Sequence, residues 1–380
     1  MTFVLGRGAG LDAGPAGRIG RYRALDGSAG APLYLDLDGP HAGLVVGKRG
    51  YGKSYTLGVL AEELARVDGT AAVVVDPMGV FATLADSGSS ELVPAAVESE
   101  PIVGPGAVDP RSWPSMLGLS PESGAGSLVW RAAAERDSLD GMVEYVRERA
   151  RAWTGTDSDT DQGTEPDADD ATGAVGDPTR AGTAPEEHVR AAVNHLRLAH
   201  SWNVFGPDGL DASDLTGPGV VVLDLSGYEE SAMNAVVRGV ADELYRARVA
   251  ESVDRLPWLL VDEAHAFFDG VARSGLERIL TRGRAPGMSV VLATQRPGVV
   301  PSVAVSQTDL LFAHRLTAEA DIEALERARP TYVDSTIAER LPNETGAVAI
   351  LDDGTETTHA ARIRERTTPH GGDAPRVSET

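Results

Sequence analysis

Residues 42–64 read AGLVVGKRGYGKSYTLGVLAEEL, and this stretch decides the fold. Ala42 to Val46 has the length and composition of a buried strand, while Leu57, Leu60, Ala61 and Leu64 fall on one face of a helix. Between them, Gly47-Lys48-Arg49-Gly50-Tyr51-Gly52-Lys53-Ser54 matches G-x-x-x-x-G-K-[ST] in the strand, loop and helix setting that the pattern requires. Its glycines let backbone N–H groups curl around phosphates, and the helix N-terminus adds its dipole. Lys53 reaches the β- and γ-phosphates, and Ser54 can ligate Mg2+. Residue frequencies alone would produce the pattern in roughly three chains in a thousand. Gly47, Lys48, Arg49, Gly50, Tyr51, Gly52, Lys53, Ser54 and Tyr55 are therefore the candidate nucleotide-binding residues. Only Lys48 and Lys53 are lysine among 34 basic residues. At position 53 the site takes a compact ammonium in place of a wide guanidinium fork.

Outward from this stretch, β-branched apolar runs recur at Ala71 to Val75, Val220 to Leu225, Trp258 to Val261, Val290 to Ala293 and Leu310 to Ala313. Such runs, without polar alternation, describe strands buried on both faces, and they predict an α/β fold with a mostly parallel central sheet. Residues 1–40 offer one short strand, Leu33 to Leu37, too little for a domain. The core is expected over 41–100 and 204–355, with a tail at 356–380. Residues 101–203 interrupt it as a helical insertion. Ser120-Pro121 can start a helix reaching about Arg136, and Leu139 to Trp153 carries Val143 and Val146 at helical spacing. Thr183 with Glu186 forms a capping box ahead of Val189, Ala192, Val193 and Leu196. Residues 154–182 are expected to be a disordered acidic linker, since 154–180 hold eight carboxylates, one arginine and almost nothing to bury.

The whole chain of 380 residues carries a formal charge of −23. A generally basic, nucleic-acid-coating surface is thereby excluded, so a polyanion must meet a local patch. The scarcity of lysine follows from a bias toward GC-rich codons or, taken with the acid excess, from a salt-loving host. No apolar run approaches the ~18 residues needed to cross a bilayer, and the N-terminus lacks a signal pattern, so the expectation is a soluble, cytoplasmic protein without membrane contact. The absence of cysteine removes disulfides, thiolate nucleophiles and cysteine metal sites. The histidines show no metal-ligand spacing.

A phosphate-binding loop needs a second strand that ends in carboxylates, and Trp258-Leu259-Leu260-Val261-Asp262-Glu263-Ala264-His265 supplies it. Asp262 would hold the metal's coordination shell together with Ser54, and Glu263 would polarise the attacking water as general base. That implies hydrolysis. Asp76 and Asp224, also at strand ends, read more simply as structural acids. After Val290 to Ala293, Gln295 could touch both the γ-phosphate and the water. Arg273, Arg278, Arg282, Arg284 and Arg296 concentrate positive charge, suited to a neighbouring subunit's triphosphate or to nucleic acid.

Together, GLVVGKRGYGKSYTLGVLAEEL, VVVDPMGVF, GVVVLDLSGYEE, WLLVDEAHAFF, LTRGRAPGMSVVLATQRPGVVPSVAVSQTD and LLFAHRLTAEAD resemble the HerA branch of the HerA/FtsK ATPases, over about two thirds of the chain. The resemblance implies a RecA-like P-loop NTPase core, usually a hexameric ring with ATP sites between subunits and DNA in the pore. By matching positions, Lys53 and Ser54 correspond to the Walker A pair, Asp262 and Glu263 to the Walker B pair, and Gln295 to the sensor. Arg284 corresponds to a trans-acting arginine and Arg315 to a second arginine near the interface. Two departures stand out: residues 1–40 are short for the family's N-terminal β-barrel, and Asp76-Pro77-Met78-Gly79-Val80-Phe81 lacks the acid of the family's DPHGEY. The reading is an ATP- and Mg2+-dependent motor that moves DNA, with end processing beside a nuclease as its setting. The alternatives are a conjugation or virus-packaging pump and, from another class, an ATP-gated switch or scaffold without translocation.

Overall fold

Val/Leu-rich runs with no polar face must be covered on both sides, which a central parallel sheet achieves. The computed structural model describes residues 3–8, 14–24, 27–86, 93–154, 186–328 and 330–371, and places these runs in a twelve-stranded sheet. Its strands are β1 (Val4–Leu5), β2 (Ala16–Arg23), β3 (Ala29–Asp36), β4 (Ala42–Val46), β5 (Thr70–Asp76), β6 (Ala95–Glu98), β7 (Val220–Asp224), β8 (Leu256–Val261), β9 (Ser289–Thr294), β10 (Leu310–Ala313), β11 (Ala347–Asp352) and β12 (Thr357–Ile363). The α-helices are α1 (Lys53–Leu64), α2 (Trp113–Met116), α3 (Gly124–Glu135), α4 (Leu139–Thr154), α5 (Glu186–Ser201), α6 (Ala212–Leu215), α7 (Glu230–Val249), α8 (Ala272–Arg282), α9 (Ser302–Ser306), α10 (Glu319–Arg327) and α11 (Ile337–Arg340).

The strand order is β1-β3-β2-β12-β11-β10-β4-β9-β8-β5-β7-β6. From β10 to β6 every neighbouring pair is parallel. On the other side, β10–β11, β11–β12, β12–β2 and β2–β3 are antiparallel. Val45, Val74, Leu260, Val291 and Phe312 share one buried cluster with Leu57, Leu60 and Leu64 of α1. The intervening Leu44, Val73, Leu259 and Leu292 are equally buried, and α7 and α8 lie against β8 and β9. Strand direction decides where the connecting loops gather. The parallel strands bring the ends of β4, β5, β8, β9 and β10 to one edge of the sheet. The antiparallel β11 starts at that edge, and β12 returns to it.

Residues 1–40 differ from the expected single strand. They supply β1, β2 and β3, and β2 pairs with β12. Residues 356–380, expected as a tail, begin with β12, which is paired on both sides. The two ends of the chain therefore extend the sheet together. The β2 sequence AGRIGRYR hides a strand because glycine and arginine replace a regular apolar alternation. His41, just before β4, fastens this part: its Nδ1 lies 2.9 Å from Asp309 Oδ2, and its Nε2 lies 3.6 Å from Oδ2 of Asp36 at the end of β3.

The chain divides into two compact units, Met1–Val103 with Asp208–Thr380, and Gly104–Pro207. The second unit holds α2 to α5, with Trp113, Val129, Met142, Val146 and Leu196 fully buried. Here α3 begins after the expected Ser120, because Ser123 supplies the cap by accepting a hydrogen bond from the Gly126 N–H. Thr183 of the expected capping box, and the acidic stretch beyond residue 154, lie outside the described residues.

Candidate active site

The chain leaves β4 through a loop whose shape depends on glycine. Gly52, which caps α1, has φ 112°, a conformation open chiefly to glycine. Gly47 passes so close to His314 that an added Cβ would stand 2.6 Å from the His314 Cβ. The first turn of α1 has no side-chain cap and no acidic residue, so its N–H groups and dipole are left for an anion. Hydrogen bonds from Gly47 N–H to Thr294 O (3.4 Å) and from Lys48 N–H to Arg315 O (2.7 Å) hold the loop against β9 and β10.

At the neighbouring strand end, Ser54 Oγ donates to Asp262 Oδ2 at 2.7 Å, which joins the two motifs across the sheet. Both groups are hard oxygen donors, the chemistry that Mg2+ requires. The Glu263 N–H donates to Asp262 Oδ1 at 2.9 Å, and Glu263 itself has φ 45°, an uncommon left-handed conformation at a side chain with a Cβ. Its Oε2 is buried without a hydrogen-bond partner, although His265 Nδ1 lies 3.4 Å away. Lys53 is 5% exposed. Burial lowers its pKa, as does Arg49, while Glu263 and Asp262 oppose the shift. Asp262 is raised by burial and by Glu263, against the Ser54 hydrogen bond. Asp76, fully buried at the end of β5, accepts from the Phe81 and Met78 N–H groups. Asp224 accepts from the Ser226 N–H. Both acids shape their own turns.

A cavity of about 420 Å3 opens over this arrangement, within the size of ligand-binding pockets. Arg49, Gly50, Gly52, Lys53, Ser54, Tyr55, Asp262 and Glu263 line it. Gln295 follows β9 at the same edge and is half-buried, but it is not part of the lining. Arg315 is engaged within this chain: its guanidinium lies over the ring of Tyr51 in the phosphate-binding loop at 5.5 Å and donates to Asn343 O before β11. Arg284 is exposed and precedes β9, so the strand's length, roughly 20 Å, separates it from this chain's cavity. Arg273 pairs with Glu277, and Arg278 with the buried Asp242.

Sequence reasoning missed several residues that meet the site. His314 is fully buried. Its Nδ1 lies 2.9 Å from Ala347 O and its Nε2 lies 2.9 Å from Thr56 Oγ1. Burial, aided by Lys53, pushes its pKa down to about 4 against the bond to Ala347. The ring is therefore neutral near pH 7, with Nδ1–H donating to Ala347 O and Nε2 facing the Thr56 hydroxyl, which also lies 2.9 Å from Gly52 O. Met78, Val80, Thr345, Gly346, Ile363, Arg364, Glu365 and His370 also line the cavity. No spacing rule points to them, because three separate connections carry them to one edge.

Fold and site define a P-loop NTPase of the RecA-like class. Residues 18–108 match the family described as "Helicase HerA, central domain", in line with the resemblance read from the motifs. That match includes the phosphate-binding loop, while Asp262 and Glu263 lie beyond it. The structure of VirB4 of Thermoanaerobacter pseudethanolicus is similar with a TM-score of 0.65 and 16% identity, covering 94% of this chain and 98% of that one. The bacterial conjugative coupling protein TrwBdeltaN70 gives 0.55 and 15%, covering 93% and 90%. At such identities the likeness concerns the fold. Among curated proteins none matches. No helix among the described residues is long and apolar enough to cross a membrane.

Proposed function

We propose that this protein is an ATP-hydrolysing motor that moves DNA, working as a ring of identical subunits. The observation that carries the reading is the junction of Ser54 with Asp262 at 2.7 Å, with the unpartnered Glu263 Oε2 beside it at a cavity floored by the phosphate-binding loop. Ser54 and Asp262 would hold Mg2+, which when bound neutralises phosphate charge. Lys53 binds the β- and γ-phosphates. Glu263 accepts a proton from the attacking water, and its Oε2 makes no hydrogen bond that would occupy it. Gln295 would act as the sensor of the nucleotide state, and it follows Thr294, whose carbonyl accepts from the Gly47 N–H of the loop. Arg284 serves a neighbouring subunit's site.

DNA transport is favoured by the HerA-like sequence, and a conjugative coupling protein among the similar folds gives transfer between cells equal standing with end processing beside a nuclease. The test is the ATPase rate in molar KCl with and without duplex DNA, together with oligomeric state. Stimulation by DNA in a ring supports the motor; an unstimulated monomer would instead identify an ATP-gated switch.

A further inference from the structure

After β12 the chain does not leave the site. Residues 364–370 run along α1, the helix that begins at Lys53, and they are tied there by Glu62, which is fully buried. Its carboxylate accepts from the Arg364 guanidinium at 2.7 Å, from the Thr367 and Thr368 N–H groups at 2.9 Å, and from the Thr368 hydroxyl at 2.7 Å. Arg366 Nε lies 3.7 Å from the same carboxylate. The Arg366 N–H donates to the Tyr55 hydroxyl at 2.7 Å, which leads the chain back to the residue after Ser54. There the His370 ring meets the Tyr55 ring edge to face, with centroids 5.3 Å apart, and both rings line the nucleotide cavity.

The protonation of His370 follows from its partner. Arg366 Nη1 lies 3.3 Å from His370 Nδ1, and a guanidinium can only donate. Nδ1 is thus the acceptor, and the ring presents its proton on Nε2. Two aromatic groups and an imidazole N–H donor therefore stand on the wall of a cavity whose floor binds phosphate. A nucleobase offers what such a wall recognises, a π-face for stacking and ring nitrogens that accept.

We propose that residues 363–370 form the base-binding wall of the nucleotide site, in which Tyr55 and His370 hold the base of a nucleoside triphosphate and Glu62 positions the strap that carries His370. The proposal rests on the nucleotide reading above and adds to it where the base goes and what holds its wall in place.

The test compares ATP with inorganic tripolyphosphate, which carries the phosphates without a base, each measured by calorimetric titration with Mg2+. His370→Ala, at a half-buried position, should weaken ATP roughly tenfold, the scale of one lost stacking contact, and leave tripolyphosphate unchanged. Glu62→Gln should give the same selective loss, accompanied by faster tryptic cleavage at Arg364 and Arg366. Melting curves of both variants identify any that are unfolded, and His370→Ala decides the matter alone if Glu62→Gln does not fold. Unchanged ATP affinity in His370→Ala overturns the proposal, as does an equal loss for both ligands. Lys53→Ala serves as the separate control: it should weaken both ligands, and if it weakens neither, the phosphate reading itself fails.

Discussion

In the proposed mechanism, turnover depends on Glu263. Its left-handed backbone (φ 45°, ψ 42°) costs a residue with a Cβ roughly 1–2 kcal/mol, and the cost is met because the N–H is tied to Asp262. Glu263→Gln keeps the shape and removes the base. It should bind ATP as the wild type does and turn over about a hundredfold or more slowly, and filter binding beside a phosphate-release assay checks both halves. Wild-type turnover would end the assignment. Lys53→Ala differs, since the loss falls on triphosphate binding itself. Gly47→Ala tests the loop by sterics alone. Its new methyl would stand 2.6 Å from the His314 Cβ, so the loop must move, and the KM for ATP should rise more than tenfold while the melting temperature changes little. Replacing His314 by alanine in the same chain should give no relief, because the obstacle is that residue's own Cβ.

At the scale of elements, two buried charge clusters fasten segments to the core, and they respond to pH in opposite directions. Burial pushes the Glu62 carboxyl up, but hydrogen bonds from Thr368, Arg364 and Thr367 outweigh this and hold it below its ordinary value. Its contribution is therefore complete above the unfolded pKa of about 4.3 and disappears as the pH falls through the lower folded value. Glu62→Gln leaves the buried Arg366 without its carboxylate and Arg364 with that of Glu63 alone, a change that costs roughly 3–5 kcal/mol when a buried pair is broken. The gap between wild-type and variant melting temperatures should be widest near neutrality and shrink below about pH 4. For His41, burial would lower the pKa, yet Asp309 and Asp36 carry it up to about 9. That stabilisation is complete below about 6.5 and fades as the pH rises through 9. Melting temperature should therefore decline over this window in the wild type and stay flatter in His41→Asn.

The same elements show what the sequence makes legible. Strands β4, β5, β7, β8, β9 and β10 are buried on both faces and announce themselves as apolar runs. The loop at 47–54 and the acids at 262 and 263, to which hydrolysis is assigned in the proposal, close β4 and β8 and could be read directly. β2 and β12 could not, since they sit where arginine and threonine alternate with a partly buried face. β11 carries an apolar run, AVAILD, that the sequence reading omits. Its place in the site, bringing Thr345 and Gly346 to the cavity, depends on running antiparallel to β10, and chain direction leaves no mark on composition. His370 was hidden for the same reason, because Glu62 brings it home from the far end of the chain.

At the scale of the whole molecule, the parallel sheet puts Arg284 and the phosphate-binding loop at opposite edges of the same chain. An arginine so placed can serve hydrolysis only by reaching a neighbour's cavity, as happens in a ring whose subunits meet head to tail. This geometry predicts complementation. Arg284→Ala subunits have an intact cavity but no arginine to offer; Glu263→Gln subunits offer the arginine but cannot hydrolyse. Each protein alone should be nearly inactive. Randomly mixed rings should regain activity at about a quarter of their interfaces, those where an Arg284→Ala cavity meets a Glu263→Gln neighbour. Phosphate release after unfolding and refolding the two proteins together measures this. Full activity of Arg284→Ala alone would remove that residue from hydrolysis. Inactivity of both the single proteins and the mixture, with rings confirmed by light scattering, would mean that Arg284 does not act across the interface.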